Sequence, residues 1–158
     1  MSPTDPAPRS RFSLPSLPSL FRVFRRTPGP EQLALHAVVA MSQVVIATGR
    51  MDDAAVQQIA AILTRLTGRE YGPTQVMEML QKLNPTAEDL AQVGQDLPER
   101  DREIVLEAAL QLAVAKGEIR PPEYEVVSDL ALRMQVGAEA FRRAVRNVSA
   151  HFQAMRAA

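Results

Sequence analysis

A chain of 158 residues has room for one domain around one hydrophobic core. The absence of cysteine excludes disulfides, thiolate metal sites and thiol nucleophiles, and no apolar run approaches the ~20 residues that a membrane-spanning helix needs. Net charge is zero, yet residues 1–30 carry five arginines against Asp5 alone, so a basic arm of +4 precedes a body of −4.

Residues 1–30 read as a tail. Pro3, Pro6 and Pro8 stand where a secretory signal would carry a compact apolar region, so a cytoplasmic protein is expected. Pro15 and Pro18 forbid a regular helix through the next stretch. Phe12, Leu20, Phe21 and Phe24 are interleaved with Arg22, Arg25 and Arg26, whereas a purely solvated tail avoids such apolar residues. Peripheral contact with an anionic membrane, a linear motif for a protein partner, an organellar leader and a segment without a role are all compatible with this composition. Thr27-Pro28-Gly29-Pro30 separates the tail from a globular part at 31–155.

From Glu31 the periodicity is helical. A first helix is predicted over Glu31–Thr48, closed by Gly49, and a second from Asp52 to about Thr67. A third spans Pro73–Leu83, and Thr86 with Asp89 opens a short connector helix to about Asp96. Pro98–Lys116, Pro121–Gln135 and Ala138–Ala154 complete seven helices. No segment alternates as a strand would, so the fold class is all-α.

The chain also repeats itself. Superimposing Gly49 on Gly117 places Ala40 on Ala108, Val44 on Leu112, Met51 on Ile119, Val56 on Tyr124, Ile59 on Val127 and Ile62 on Leu130. Met51 with Val56, and Ile119 with Tyr124, stand in the relation of hydrophobic staples. Two helical halves packed face to face, related by a pseudo-twofold axis, are the expected architecture.

These two turns carry a family resemblance. Ala113-Val114-Ala115-Lys116-Gly117-Glu118-Ile119-Arg120-Pro121-Pro122-Glu123, and Ile46-Ala47-Thr48-Gly49-Arg50-Met51-Asp52-Asp53-Ala54-Ala55 before it, resemble the doubled alanine-rich helix and acidic turn of the TerB tellurite-resistance family. The resemblance runs from about Leu33 to Phe152. It implies a seven-helix fold, a link to bacterial tellurite or general stress resistance, and divalent-cation binding at the paired turns. Asp52, Asp53, Glu118 and Glu123 are then the candidate ligands for calcium or magnesium. Two departures weaken that implication: Thr48 and Lys116 occupy the places of family acids, and Ala55 replaces the downstream glutamate of the first copy. Calcium asks for six to eight oxygen ligands. Asp52 as an N-cap and Glu123 as a third-position helix acid have a structural reading that is preferred to ligation.

Little else points to chemistry. His36 and His151 lack a second histidine or a cysteine nearby and read as partly exposed or locally bonded helix residues. Met77, Met79 and Met134 read as core fillers, the run Glu99–Glu107 as a solvated face, and Arg142, Arg143 and Arg146 as a basic helix surface. There is no nucleophile elbow and no phosphate loop. Scarce aromatics argue against nucleic-acid stacking. The expectation is a non-catalytic TerB-like binding or scaffold module with protein partners and a degenerate cation site. A membrane-recruited adaptor acting through the tail is the first alternative, and a metal-dependent enzyme the disfavoured second.

Overall fold

The most apolar stretch of the sequence, around Ala37–Ala47, lies in a helix buried on nearly every side. The computed structural model describes residues 30–49, 51–83, 92–115 and 119–157. Among these the chain is all-α, with six helices and no strand: α1 Pro30–Thr48, α2 Asp53–Thr67, α3 Pro73–Leu83, α4 Glu99–Ala113, α5 Pro121–Arg133 and α6 Ala138–Ala157. Every residue from His36 to Met41 is buried in α1, as expected for a helix that is apolar all round. Its most extensive contact is with α4, which buries Val105, Leu106, Ala108, Ala109, Leu110, Leu112 and Ala113. Alanines on both helices leave room for close approach. Large side chains fully buried here, such as Met41, Leu106 and Leu110, contribute about 1.5–3 kcal/mol each.

The other helices are amphipathic and lean on this central pair. α2 and α3 pack on α1 and on one another, α5 packs on both α1 and α4, and α6 packs on α4. α2 turns Val56, Ile59, Ala60, Ile62 and Leu63 inward. α6 turns in Ala144 and Val148, with Phe141, Val145 and Phe152 half-buried beside them.

The helix ends follow from local chemistry. At Gly49 the backbone enters the left-handed region (φ +76°), and its N–H donates to the Val45 carbonyl at 3.0 Å. α5 closes in the same manner but on Gln135 (φ +60°), while the Val136 N–H reaches the Ala131 carbonyl at 2.8 Å. The helix therefore stops at Arg133 rather than at Gln135. Gly137 lies two residues beyond the turn.

Several sequence expectations are corrected. The connector helix was expected to run to Asp96, but Gln92–Asp96 forms turns, with Gln95 N–H bonded to the Gln92 carbonyl and Leu97 N–H to that of Gly94. Gly94, at φ +78°, cannot continue a right-handed helix. The remainder of that element, and Gly117, lie outside the described residues. The staples are incomplete: Val56 is buried but Met51 is exposed, and Ile119 packs on the core while Tyr124 turns outward to Phe141. Met134 is buried and Met79 half-buried, but Met77 faces solvent because it sits off the apolar stripe of α3.

Candidate functional site

Sequence and resemblance both single out the acidic turns. Asp52 has extended backbone and its Oδ1 accepts the Ala55 N–H at 2.8 Å, so it is the N-cap of α2. Asp53 is the first residue of α2 and is exposed at the positive end of the helix dipole. Glu123 is buried, with 3% of its surface accessible. Its Oε2 accepts the Arg120 N–H at 3.2 Å and its Oε1 lies 3.4 Å from the Arg120 guanidinium. This is one arm of a capping box: arginine has no acceptor with which to reciprocate, and Pro121 and Pro122 have no N–H to satisfy. Glu118 lies outside the described residues. Among the described residues no group of three or more histidine, aspartate or glutamate side chains is placed to hold a metal ion.

His36, expected to be partly exposed or locally bonded, makes a long-range contact instead. It is buried in α1, and its Nδ1 accepts the Gly94 N–H, 58 residues away, at 3.0 Å. Burial pushes the imidazole from its ordinary 6.5 down to about 4, against the opposing pull of the Asp96 carboxylate. A ring accepting at Nδ1 carries its proton on Nε2. Gly94 in turn rests on Met134, and the Met134 carbonyl at the end of α5 accepts Arg102 Nη1 at 2.8 Å. One chain of contacts thus ties α1, the connector, α5 and α4. Nor is the acidic run of α4 merely solvated. Glu103 pairs with Arg143 at 2.9 Å, Glu107 accepts from Asn147 at 3.3 Å, and Gln111 accepts from Arg65, so one row of α4 side chains holds both α6 and α2.

Two apolar depressions open at the surface. α5 and α6 make little contact with each other, and between them lies a groove of about 660 Å³. Tyr124, Ser128 and Leu132 line it from α5, and Phe141, Arg142 and Arg146 from α6. A second depression of about 380 Å³ lies between α2, α4 and the C-terminal half of α6. Ile62, Val114 and Val148 form its apolar wall, with Arg65, His151 and Met155 among its other lining residues.

A family model described as tellurite resistance protein TerB matches residues 34–146, from the second turn of α1 into α6. The chain belongs to the TerB family. No curated protein and no solved structure shows significant similarity to it.

Within this TerB domain the acids of the two turns serve different helices. Asp52 begins α2 and Glu123 begins α5, each bonded to its own backbone. The tail residues Phe12, Leu20, Phe21, Arg22, Phe24, Arg25 and Arg26 lie outside the described residues. The groove escaped sequence reasoning, although a signal existed. Leu132 is a large apolar residue off the buried stripe Val127–Leu130–Ala131–Met134, and it is 75% exposed. The His36–Gly94 bond left no local pattern to find.

Proposed function

We propose that this TerB domain is a non-catalytic binding and scaffold module of the bacterial tellurite or general stress response, cytoplasmic, with a degenerate divalent-cation site. The engagement of Glu123 carries this reading. The one family-position glutamate retained among the described turn residues is buried against the backbone and guanidinium of Arg120. A calcium shell would have to take that carboxylate from its helix and add several more oxygens, and a buried carboxylate with two partners is a poor starting point. The two-half architecture belongs to the same proposal. α1–α2–α3 and α4–α5–α6 each consist of a largely buried helix followed by two amphipathic ones, and the leading helices α1 and α4 pack on each other.

Partner binding is assigned to the depression between α2, α4 and α6, where Met155 is 63% exposed beside Arg65 and His151. Two experiments test the function. Calorimetry of the full chain with calcium and with magnesium should show no site; one tighter than about 100 μM, abolished by Glu123→Ala, would restore metal chemistry. In a deletion strain of the native host, the wild-type gene should restore tellurite tolerance and Met155→Asp should not. Equal rescue by both removes that surface from the function.

The tail supports a second reading, a membrane-recruited adaptor. No helix of the described residues is long and apolar enough to cross a membrane, so attachment would rest on residues 12–26, whose arginines contribute about 1 kcal/mol each near an anionic surface. Flotation with anionic liposomes should then require residues 1–30. Equal flotation of full-length and truncated chains sinks this reading.

A further inference from the structure

The groove between α5 and α6 differs from the depression assigned to partners in the pattern of charge along its lips. Three of the arginines on these helices are already paired: Arg133 with Asp129 at 2.9 Å, Arg142 with Glu139 at 3.5 Å and Arg143 with Glu103 at 2.9 Å. Arg146, on the α6 lip, has no carboxylate partner among the described residues. On α5, Glu125 does not line the groove itself but stands seven residues before Leu132, on the same exposed crest of the helix, and likewise has no cationic partner among them. Each lip therefore presents one uncompensated charge, and the two are of opposite sign. Between them lies an apolar floor, with Leu132 75% and Tyr124 50% exposed above it.

We propose that this groove is a self-association surface whose occupant is a second copy of the same chain. A twofold interface requires that if one residue meets a second across it, the second meets the first. A twofold axis running along the groove satisfies that condition. It sets the α5 lip of each copy over the α6 lip of the other, so that Glu125 faces the partner copy's arginine and Arg146 its glutamate. Leu132 and Tyr124 of each copy close over the facing floor. The apolar contact supplies the affinity, while the charges fix the orientation, because exposed pairs by themselves contribute little. Other occupants match the lips less well. The chain's own basic residues 1–29 would bring five arginines against Arg142 and Arg146. A wholly acidic helix would leave Glu125 facing like charge.

Sedimentation velocity of the full chain over roughly 5–500 μM tests this. A reversible monomer–dimer equilibrium is expected, and Leu132→Asp should leave only monomer across the range. Glu125→Arg and Arg146→Glu, both at exposed positions that leave the helical circular dichroism unchanged, should each weaken the dimer about tenfold. The double variant carrying both should regain wild-type affinity to within about threefold, because the reversed charges again face one another. Three results overturn the proposal. They are a wild-type chain that stays monomeric throughout, a dimer indifferent to Leu132→Asp, and a double variant no tighter than the weaker single one.

Discussion

His36 and Glu123 are the two polar side chains buried in the described core, and each stands where an ionised group alone would be costly. Glu123 keeps its partners close, taking the N–H and the guanidinium of a residue three positions earlier. His36 reaches across the fold to Gly94, and burial holds its proton affinity low. The local solution anchors one helix end; the distant one joins four elements through Gly94, Met134 and Arg102. Loss of the first should loosen a turn, and loss of the second should loosen the assembly of helices.

The largest effect is expected on the distant side. Gly94→Ala would place a Cβ 2.5 Å from Met134 Cγ and 2.6 Å from Sδ, in a backbone that L-residues rarely adopt. Met134 is fully buried and has nowhere to retreat. Strain and overpacking together should cost about 3 kcal/mol, read as a lower urea midpoint at unchanged slope. A loss below about 0.5 kcal/mol would show that the connector is not held against Met134.

Acid should act on the same joint. Unfolded, His36 binds a proton near 6.5; folded, near 4. Between these values the unfolded chain holds the extra proton. The stabilisation is therefore complete above about 6.5 and is lost as pH falls toward about 4. The gap corresponds to about 3 kcal/mol. His36→Asn keeps an acceptor for the Gly94 N–H but does not titrate. The variant should start less stable at neutral pH and lose this part of the acid dependence, measured by urea titrations at intervals across the window. An unchanged slope would assign the acid sensitivity to other groups.

How much of this could be read from the sequence divides along the same line. The bounds of α3 and the starts of α5 and α6 agree with the sequence reading, because proline, glycine and cap residues act over one turn. Asp52 and Glu123 as caps were legible for that reason. The expected connector helix overran because nothing near Gly94 announces that its N–H belongs to His36. The end of α5 was missed because a glutamine, not a glycine, takes the left-handed position. Tyr124 was read as a staple from its spacing, yet its ring meets Phe141 edge-on at a centroid distance of 6.0 Å. Spacing identifies a face of a helix but not which neighbour that face will meet.

On the local side, Glu123→Ala should cost about 2 kcal/mol, since it removes a cap and leaves the Arg120 N–H without its acceptor. Glu123→Gln retains an acceptor oxygen and should cost less than half as much. The Arg120 guanidinium is 60% exposed, so the ion pair adds little. Equal losses in both variants would mean that the charge, not the cap, is what α5 needs.

Asp52 makes the smallest and sharpest test, because it is the counterpart of Glu123 at the other turn but is only half-buried. Asp52→Ala removes the oxygen that accepts the Ala55 N–H and should cost about 1 kcal/mol, less than Glu123→Ala because water can reach the vacated donor. Asp52→Asn should be neutral to within a few tenths of a kcal/mol, since asparagine caps as well as aspartate. A ligand for a divalent cation behaves otherwise: Asn would lose the charge, and the difference from wild type would appear only in added calcium or magnesium. Thermal melts of the wild type and the Asn variant, with and without each cation, separate the two roles. Coincidence of all six curves identifies a cap, and a cation-dependent gap identifies a ligand.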